Sequence, residues 1–195
     1  MYNIGVILFK FIFKNFFKCQ IVGVENIPST KGVIIAANHI SLWDPPLIGT
    51  FLPRKINFMA KEELFDIPII GYIIKRLNAF PVKRGTADRV AIKKAISLLK
   101  SGECLGLFPE GTRSKDDRLL EFKPGAKIIA EKLTLKVQPI VIVDSAKLVD
   151  TKHSVTSAGG ELKVIYMEPL DINKKGWLEE AREAMQKRLD EERAK

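Results

Sequence analysis

The chain of 195 residues contains only two cysteines and two histidines. Cys19 and Cys104 are too few for the disulfide framework of a small secreted domain, and they match no paired zinc spacing. A reducing cytoplasm is therefore the simplest setting. The hydrophobic fraction of 46% and the charged fraction of 28% exclude general disorder, and the length favours one globular domain.

The sequence also lacks an apolar run long enough to cross a bilayer. The most apolar segment runs from Ile4 to Phe17, and as a helix it would reach only about 21 Å, against about 30 Å of hydrocarbon. A signal peptide is not expected either, because the first three residues carry no basic side chain and no small-residue cleavage site follows.

Residues 1–20 are instead predicted to form an amphipathic helix that lies at a membrane surface. Lysines at four-residue spacing would form one stripe, and the phenylalanines would enter the acyl boundary. A core helix that covers its own domain is the alternative. The residues predicted to contact the membrane are Phe9, Lys10, Phe11, Phe13, Lys14, Phe16, Phe17 and Lys18.

Residues 21–195 show short apolar runs alternating with helical patterns, from Gly32–Ala37 to a charged helix over Trp177–Arg193. This order predicts an α/β domain with a largely parallel sheet between layers of helices. The apolar stretch Ile69–Ile74, opened by Pro68, has three interpretations: the lining for an acyl chain, a second membrane contact or a buried helix.

The first chemical motif is Asn38-His39, followed after four residues by Asp44, at the end of a predicted strand. Open α/β sheets place ligand sites at this edge, and imidazole is the natural general base near neutral pH. A helix that begins near Ser41 would turn Asp44 back towards His39. The alternative is a capping-box variant formed by Ser41 and Asp44.

The second motif, Phe108 to Ser114, leaves another buried strand at the same predicted edge. Gly111 permits a close backbone approach, and the guanidinium of Arg113 offers a planar fork for phosphate oxygens. Taken alone, the Pro-Glu-Gly-Thr sequence is also typical of an ordinary turn.

Together these motifs resemble the glycerophospholipid acyltransferase family. The family's first block is met by Asn38, His39 and Asp44, and its third block by Phe108-Pro109-Glu110-Gly111-Thr112-Arg113. The segment from Phe80 to Gly85, which carries Arg84, is similar to the second block. The apolar strand Val137–Val141, which contains a proline, is similar to the fourth.

The resemblance implies acyl transfer from a thioester, acyl-CoA or acyl carrier protein, to the hydroxyl of lysophosphatidic acid. His39 would take the proton of that hydroxyl and Asp44 would orient the imidazole, with no acyl-enzyme and no bound cofactor or metal. Arg84 and Arg113 would hold the acceptor phosphate, and Glu110 would fix glycerol hydroxyls or organise the arginines. The remaining substrate-binding residues would be Gly111 and Thr112 in the same loop, with Lys61 as an extra cation.

The net charge of +9 favours a polyanionic partner, for which we expect an anionic membrane surface and a phosphorylated substrate. Nucleic acid is not expected, because no helix-turn-helix, RNP-like or zinc signature is present. The resemblance leaves glycerol 3-phosphate or another lysolipid open as acceptors. A non-catalytic membrane-binding protein is the alternative from another class. The expected location is the cytoplasmic face of the cell membrane.

Overall fold

The computed structural model describes residues 2–83, 85, 88–115, 118–148 and 161–194. They form a seven-stranded sheet with helices on both faces, as the alternating pattern predicted. The strands are β1 (Lys18–Val22), β2 (Val33–Ala37), β3 (Ile56–Lys61), β4 (Ala79–Val82), β5 (Cys104–Leu107), β6 (Val137–Val143) and β7 (Glu161–Tyr166). The helices are α1 (Tyr2–Phe16), α2 (Asp44–Phe51), α3 (Pro68–Arg76), α4 (Arg89–Lys100), α5 (Gly125–Leu133) and α6 (Trp177–Arg193).

The strand order is β1-β7-β6-β2-β5-β3-β4, and the five strands from β6 to β4 run parallel. The predicted parallel sheet is confirmed, with a reversed pair at one side, because β7 is antiparallel to β6 and parallel to β1. All residues of β2, β5 and β6 are buried, since these strands are covered on both faces.

Two apolar layers cover the sheet. Phe13 of α1 and Leu47 of α2 pack on one face, whereas Leu99 of α4 and Ile129 of α5 pack on the other. Helix α4 begins where the Asp88 carboxylate accepts the N–H groups of Val90 and Ala91, which satisfies two otherwise free donors. The glycine predicted to end it, Gly102, has the left-handed φ of 84° typical of that position.

The N-terminal segment differs from the sequence prediction. Helix α1 ends at Phe16 and β1 begins at Lys18, so the lysine stripe is divided between a helix and a strand. Strand β1 also crosses residue 20, the predicted boundary between anchor and domain. Pairing with β7 explains the difference. The backbone N–H and C=O groups of Lys18–Val22 form hydrogen bonds with β7, and the spacing of the lysines carries no information about such a partner strand.

The inward side of α1 belongs to the core. Phe13 and Phe17 are buried, and Phe9 lies edge-to-face against Trp43 with ring centroids 6.2 Å apart. These three phenylalanines, which were predicted to enter the membrane, instead pack on the domain. Phe11 and Phe16 remain exposed, as do Lys10 and Lys14. Helix α1 therefore combines the two interpretations of the sequence, with one face in the core and the other outside.

The two motifs meet because β2 and β5 are neighbouring parallel strands, with Ala36 opposite Leu107. His39 follows the end of β2 and Phe108 follows the end of β5, so both loops leave the same edge of the sheet. The order of strands thus joins residues about 70 positions apart in the chain.

Candidate active site

His39 and Asp44 form a hydrogen-bonded pair. The Nδ1 atom of His39 lies 2.8 Å from Oδ2 of Asp44, whose side chain is fully buried. The same Oδ2 atom accepts the backbone N–H groups of Ile40 and Ser41, each at 2.8 Å. With the carboxylate on Nδ1, the other ring nitrogen, Nε2, is the one left for a substrate proton.

Helix α2 begins at Asp44, three residues later than the sequence predicted. Trp43 precedes it and no side chain caps its first turn. The bond from the Ser41 N–H to Asp44 is the carboxylate half of the predicted capping box, but Oγ of Ser41 accepts the N–H of Trp43 and not that of Asp44. The Asp44 carboxylate turns back towards the loop after β2, where it accepts the N–H groups of Ile40 and Ser41 and holds the imidazole of His39. Proline at the next two positions fits this start, because the missing N–H groups have no partner in a first helical turn.

Asn38 holds the end of β2 from the other side. Its Nδ2 atom donates to the carbonyl of Ile142 at 2.9 Å, and its Oδ1 atom accepts the N–H of Ile142 at 2.7 Å. These two hydrogen bonds to β6 fix the backbone just before His39. The sequence alone assigns Asn38 no role of its own. Its position as a polar residue directly after a buried strand is the feature that could have indicated this structural role.

The loop after β5 is bonded to His39 along its backbone. Oε1 of Glu110 accepts the N–H of His39 at 2.8 Å, and the N–H of Ser114 donates to the carbonyl of His39 at 2.8 Å. Between these contacts, Gly111 has a left-handed φ of 71°, and Gly111, Thr112 and Arg113 are exposed. The exposed part of the loop therefore lies between two bonds to the backbone of His39.

Glu110 is buried, which contradicts one of the two roles that the resemblance implied, contact with glycerol hydroxyls; the other role, organising the arginines, stays a prediction. It is 1% exposed, and its second oxygen, Oε2, accepts the N–H of Leu120 at 2.8 Å. Burial raises the pKa of Glu110, although the two accepted N–H groups act in the opposite direction. Both oxygens are thus bonded to backbone and neither is directed to solvent, so no oxygen of Glu110 is exposed to a glycerol hydroxyl.

An aromatic side chain covers the imidazole. The ring of Phe108 lies nearly parallel to that of His39, with centroids 4.0 Å apart and an interplanar angle of 19°. Phe58 of β3 stacks on Phe108 in turn, at 6.0 Å and 9°. The two rings restrict the imidazole to one plane by packing against its face.

The predicted cations occupy different positions. Arg113 is exposed in the loop after β5, and Arg84 lies outside the described residues. Lys61, at the end of β3, is about half exposed; its Nζ atom lies 3.1 Å from Oε1 of Glu63. Lys61 is among the residues that line the same cavity as His39.

That cavity has a volume of about 360 Å³ and an almost wholly apolar wall. Its wall comes from α1, α2, β3 and α3, and it includes Phe9, Phe58, Ile70 and Ile73 besides His39. The volume is within the usual range for small-ligand sites. An apolar chain is the kind of ligand that such a wall accommodates.

Helix α3 lines this cavity and is exposed on its other side. Ile70 and Ile73 belong to the wall, whereas Ile69 is 75% exposed. Gly71 is the one residue of α3 that is buried, and a Cβ there would approach the carbonyl oxygen of Phe65 to 2.3 Å. The interpretation of this stretch as a buried helix is therefore wrong.

Other reactive groups contribute little. Burial raises the pKa of Cys19 to about 12 and that of Cys104 to about 11, so both are protonated thiols near neutral pH. No three metal-ligating side chains come together in the part of the chain that the structure describes.

The chain belongs to the acyltransferase family, whose model matches residues 18–143, from the start of β1 to the end of β6. Its similarity to individual members extends further along the chain. It is 36% identical to the 1-acyl-sn-glycerol-3-phosphate acyltransferase of Bacillus subtilis over 77% of this chain and 73% of that protein. The enzyme of the same name from Helicobacter pylori is 36% identical, over 88% of this chain and 75% of that protein.

A chloroplast enzyme of this name from Arabidopsis thaliana is 35% identical over 90% of this chain, but the chain spans only 50% of its length. Among solved structures, the 1-acyl-sn-glycerophosphate acyltransferase PlsC from Thermotoga maritima matches with a TM-score of 0.83 and 32% identity. That match covers 100% of this chain and 80% of the other. Fold and sequence therefore indicate the same family.

Proposed function

We propose that the protein transfers an acyl group from a thioester donor, acyl-CoA or acyl carrier protein, to lysophosphatidic acid, forming phosphatidic acid. The observation that carries the proposal is the His39–Asp44 pair, 2.8 Å apart, bonded through the His39 backbone to the loop that presents Arg113. The named function of the bacterial relatives supports the choice of acceptor.

In this mechanism Nε2 of His39 takes the proton of the acceptor hydroxyl as its oxygen attacks the thioester carbon. The new C–O bond forms, the C–S bond breaks, and the imidazolium returns the proton to the leaving thiolate. Asp44 holds Nδ1–H and stabilises the cation between these steps. The attacking nucleophile is the acceptor itself, so no acyl-enzyme forms.

The surrounding residues bind the two substrates. Arg113, and Arg84 by the family resemblance, hold the acceptor phosphate, and Lys61 supplies a further cation in the cavity that His39 lines. The apolar wall between α1 and α3 receives an acyl chain. These assignments place the charged end of a lysolipid at the loop after β5 and an apolar chain between the two helices.

The test is a matrix of donors and acceptors with the purified full chain, scored by free thiol and by mass spectrometry of the lipid product. We expect phosphatidic acid from lysophosphatidic acid and either donor class, and loss of product in His39→Ala. The matched control is His153→Ala, because His153 is the other histidine of the chain. If product formed only with glycerol 3-phosphate, that compound would replace lysophosphatidic acid as the assigned acceptor. Vesicle binding without turnover on any acceptor would favour the non-catalytic alternative.

We also propose that the protein works at the surface of an anionic membrane, on its cytoplasmic face, where CoA and carrier-protein thioesters are available. No described helix is long and apolar enough to cross a bilayer. Outside the core, α1 exposes an apolar stripe bordered by lysines, which is the pattern of an interfacial helix. The stripe consists of Ile4, Ile7, Leu8 and Phe11, and the bordering cations are Lys10 and Lys14.

Helix α3 extends this surface. Gly5 of α1 lies against Leu77, the residue after α3, and both helices line the cavity of His39. Exposed Ile69, Tyr72 and Ile73 on α3 are followed by Lys75 and Arg76, the guanidinium of which lies 4.6 Å from the Tyr72 ring centroid. Apolar side chains with cations beside them suit the boundary between acyl chains and anionic headgroups.

Cosedimentation with phosphatidylglycerol vesicles tests the membrane surface. We expect Ile7→Glu and Ile69→Glu each to weaken binding, and neutral phosphatidylcholine to bind less than the anionic lipid. Val90→Glu is the control, because Val90 is 79% exposed on α4, a helix that packs on the opposite face of the sheet from α1. Equal loss in all three variants, or equal binding to both lipids, would contradict the proposal.

A further inference from the structure

We propose that Glu110 is a positioning residue for His39 and couples the imidazole to the loop that presents Arg113. Glu110 follows β5 and His39 follows β2, yet Oε1 of Glu110 accepts the N–H of His39 at 2.8 Å. The inference rests on the proposed function for the reaction it serves, but its structural basis is the contacts of this carboxylate.

Both oxygens of Glu110 are engaged inside the protein. Oε2 accepts the N–H of Leu120 at 2.8 Å, and the side chain is 1% exposed. One carboxylate therefore bonds two backbone segments, one at His39 of the catalytic pair and one at Leu120, after the arginine loop. A buried carboxylate with two N–H partners is costly to disturb, because each N–H loses the acceptor that Glu110 provides.

Further hydrogen bonds within the loop after β5 hold the segments on either side of Glu110 together. The N–H of Lys123 donates to the carbonyl of Pro109 at 2.8 Å, and Oγ of Ser114 donates to the carbonyl of Arg118 at 2.7 Å. The N–H of Ser114 donates to the carbonyl of His39. His39 is thus held at its N–H by Glu110 and at its carbonyl by the same loop, and Arg113 lies between these two attachment points.

This arrangement assigns Glu110 a definite task. The phosphate-binding arginine and the general base come from different strands, and acyl transfer requires a fixed distance between them. A misplacement of about 1 Å costs about 10²-fold in rate. The Glu110 carboxylate sets that distance by bonding the His39 amide directly, without contacting the substrate.

The test is Glu110→Gln in the full chain, with Glu110→Asp as a second variant. Glutamine keeps one acceptor oxygen but presents an NH₂ group to the other N–H, so one of the two bonds is lost. We expect kcat for lysophosphatidic acid to fall about 10²-fold while KM stays within about twofold of wild type. Glu110→Asp keeps the charge but is shorter, so we expect an intermediate kcat.

Gln186→Leu is the matched control. Oε1 of Gln186 accepts the N–H of Leu119, the amide next to the one that Glu110 holds, at 2.8 Å, and the side chain lies on α6. This variant loosens the same loop without removing a bond to His39. We expect a comparable loss of thermal stability in Gln186→Leu and Glu110→Gln, but a fall in kcat in the second alone.

A readout independent of turnover is the imidazole resonance of ¹⁵N-histidine-labelled protein, assigned with His39→Ala. We expect the His39 signal to shift in Glu110→Gln and in Glu110→Asp, and to stay unchanged in Gln186→Leu. A raised KM with an unshifted His39 signal would assign Glu110 to the substrate and overturn the inference. If the Glu110 variants and Gln186→Leu behaved identically, the role of Glu110 would be to stabilise the loop and the inference would be overturned. If wild type fails to acylate lysophosphatidic acid, the proposed function fails, and the resonance still decides the role of Glu110.

Discussion

The rings of Phe108 and His39 lie parallel, 4.0 Å apart between centroids, although they follow different strands of the sheet. The contact covers one face of the imidazole, whereas the bond to Asp44 is made at the ring edge, through Nδ1. Phe108 also lines the apolar cavity, so one side chain contacts both the imidazole of His39 and the space proposed for the acyl chain.

Phe108→Leu is expected to lower kcat by about three- to tenfold with little change in the KM of the acceptor. Leucine keeps an apolar side chain but removes a ring contact worth about 0.5–1.5 kcal/mol, which holds the imidazole in its plane. Steady-state kinetics provide the measurement. Phe51→Leu, on a helix of the same domain, controls for the loss of a partly buried ring. An unchanged kcat would show that the stacking has no part in catalysis.

Asp44→Asn is expected to lower kcat by about 10²–10⁴-fold, because the neutral amide no longer stabilises the imidazolium or selects the Nδ1–H tautomer. The unfolding free energy should fall too, since Oδ2 accepts two backbone N–H groups besides the imidazole. Kinetics and urea unfolding measure the two effects. Asp171→Asn, at an exposed turn, should change neither. Turnover near the wild-type level in Asp44→Asn would remove Asp44 from the mechanism.

The two faces of α1 predict opposite results for two phenylalanines. Phe13→Ala should lower the unfolding free energy by about 3–5 kcal/mol, because Phe13 is fully buried and its removal leaves a cavity. Phe11→Ala, at a position 61% exposed, should leave stability almost unchanged and weaken binding to anionic vesicles. Urea unfolding and vesicle cosedimentation separate the two. Equal destabilisation by both variants would contradict the orientation of α1.

Asn38→Leu is expected to destabilise the protein by about 1–3 kcal/mol for each buried backbone group of Ile142 that loses its partner. Turnover should fall with it, because the backbone before His39 is no longer bonded to β6. Asn38→Asp restores the acceptor alone and should recover part of the stability. The measurement is thermal unfolding together with kcat. Full stability in Asn38→Leu would show that water replaces the amide.

Thiol reagents should leave the reaction intact. Burial raises the pKa of Cys19 to about 12 and of Cys104 to about 11, so the thiolate fraction is very small at pH 7 and grows as pH rises towards those values. Alkylation at pH 7 should therefore be slow and become faster with pH. The variant Cys19→Ser with Cys104→Ala should keep its turnover, and loss of activity in a folded double variant would indicate a thiol intermediate.

Much of the fold follows from local pattern. The strand predicted over Gly32–Ala37 begins one residue later, at Val33, and the charged helix predicted over Trp177–Arg193 has those bounds. Both were predictable because each run satisfies its periodicity within a few residues. Strand β1 did not follow from pattern, since its residues Lys18–Val22 form a strand only through pairing with β7. Its burial alternates only between exposed and intermediate, which gives a weak local signal.

The sequence by itself determined the chemistry: a histidine and a carboxylate five residues apart after a buried strand, and a glycine and an arginine after another. Their types and spacings are local properties of the chain. The tertiary structure decided what each side chain faces. It placed three N-terminal phenylalanines against the core, stacked Phe108 on His39, and buried Glu110 under two backbone amides. These outcomes depend on which strands become neighbours, and that choice comes from the burial and hydrogen bonding of the whole sheet.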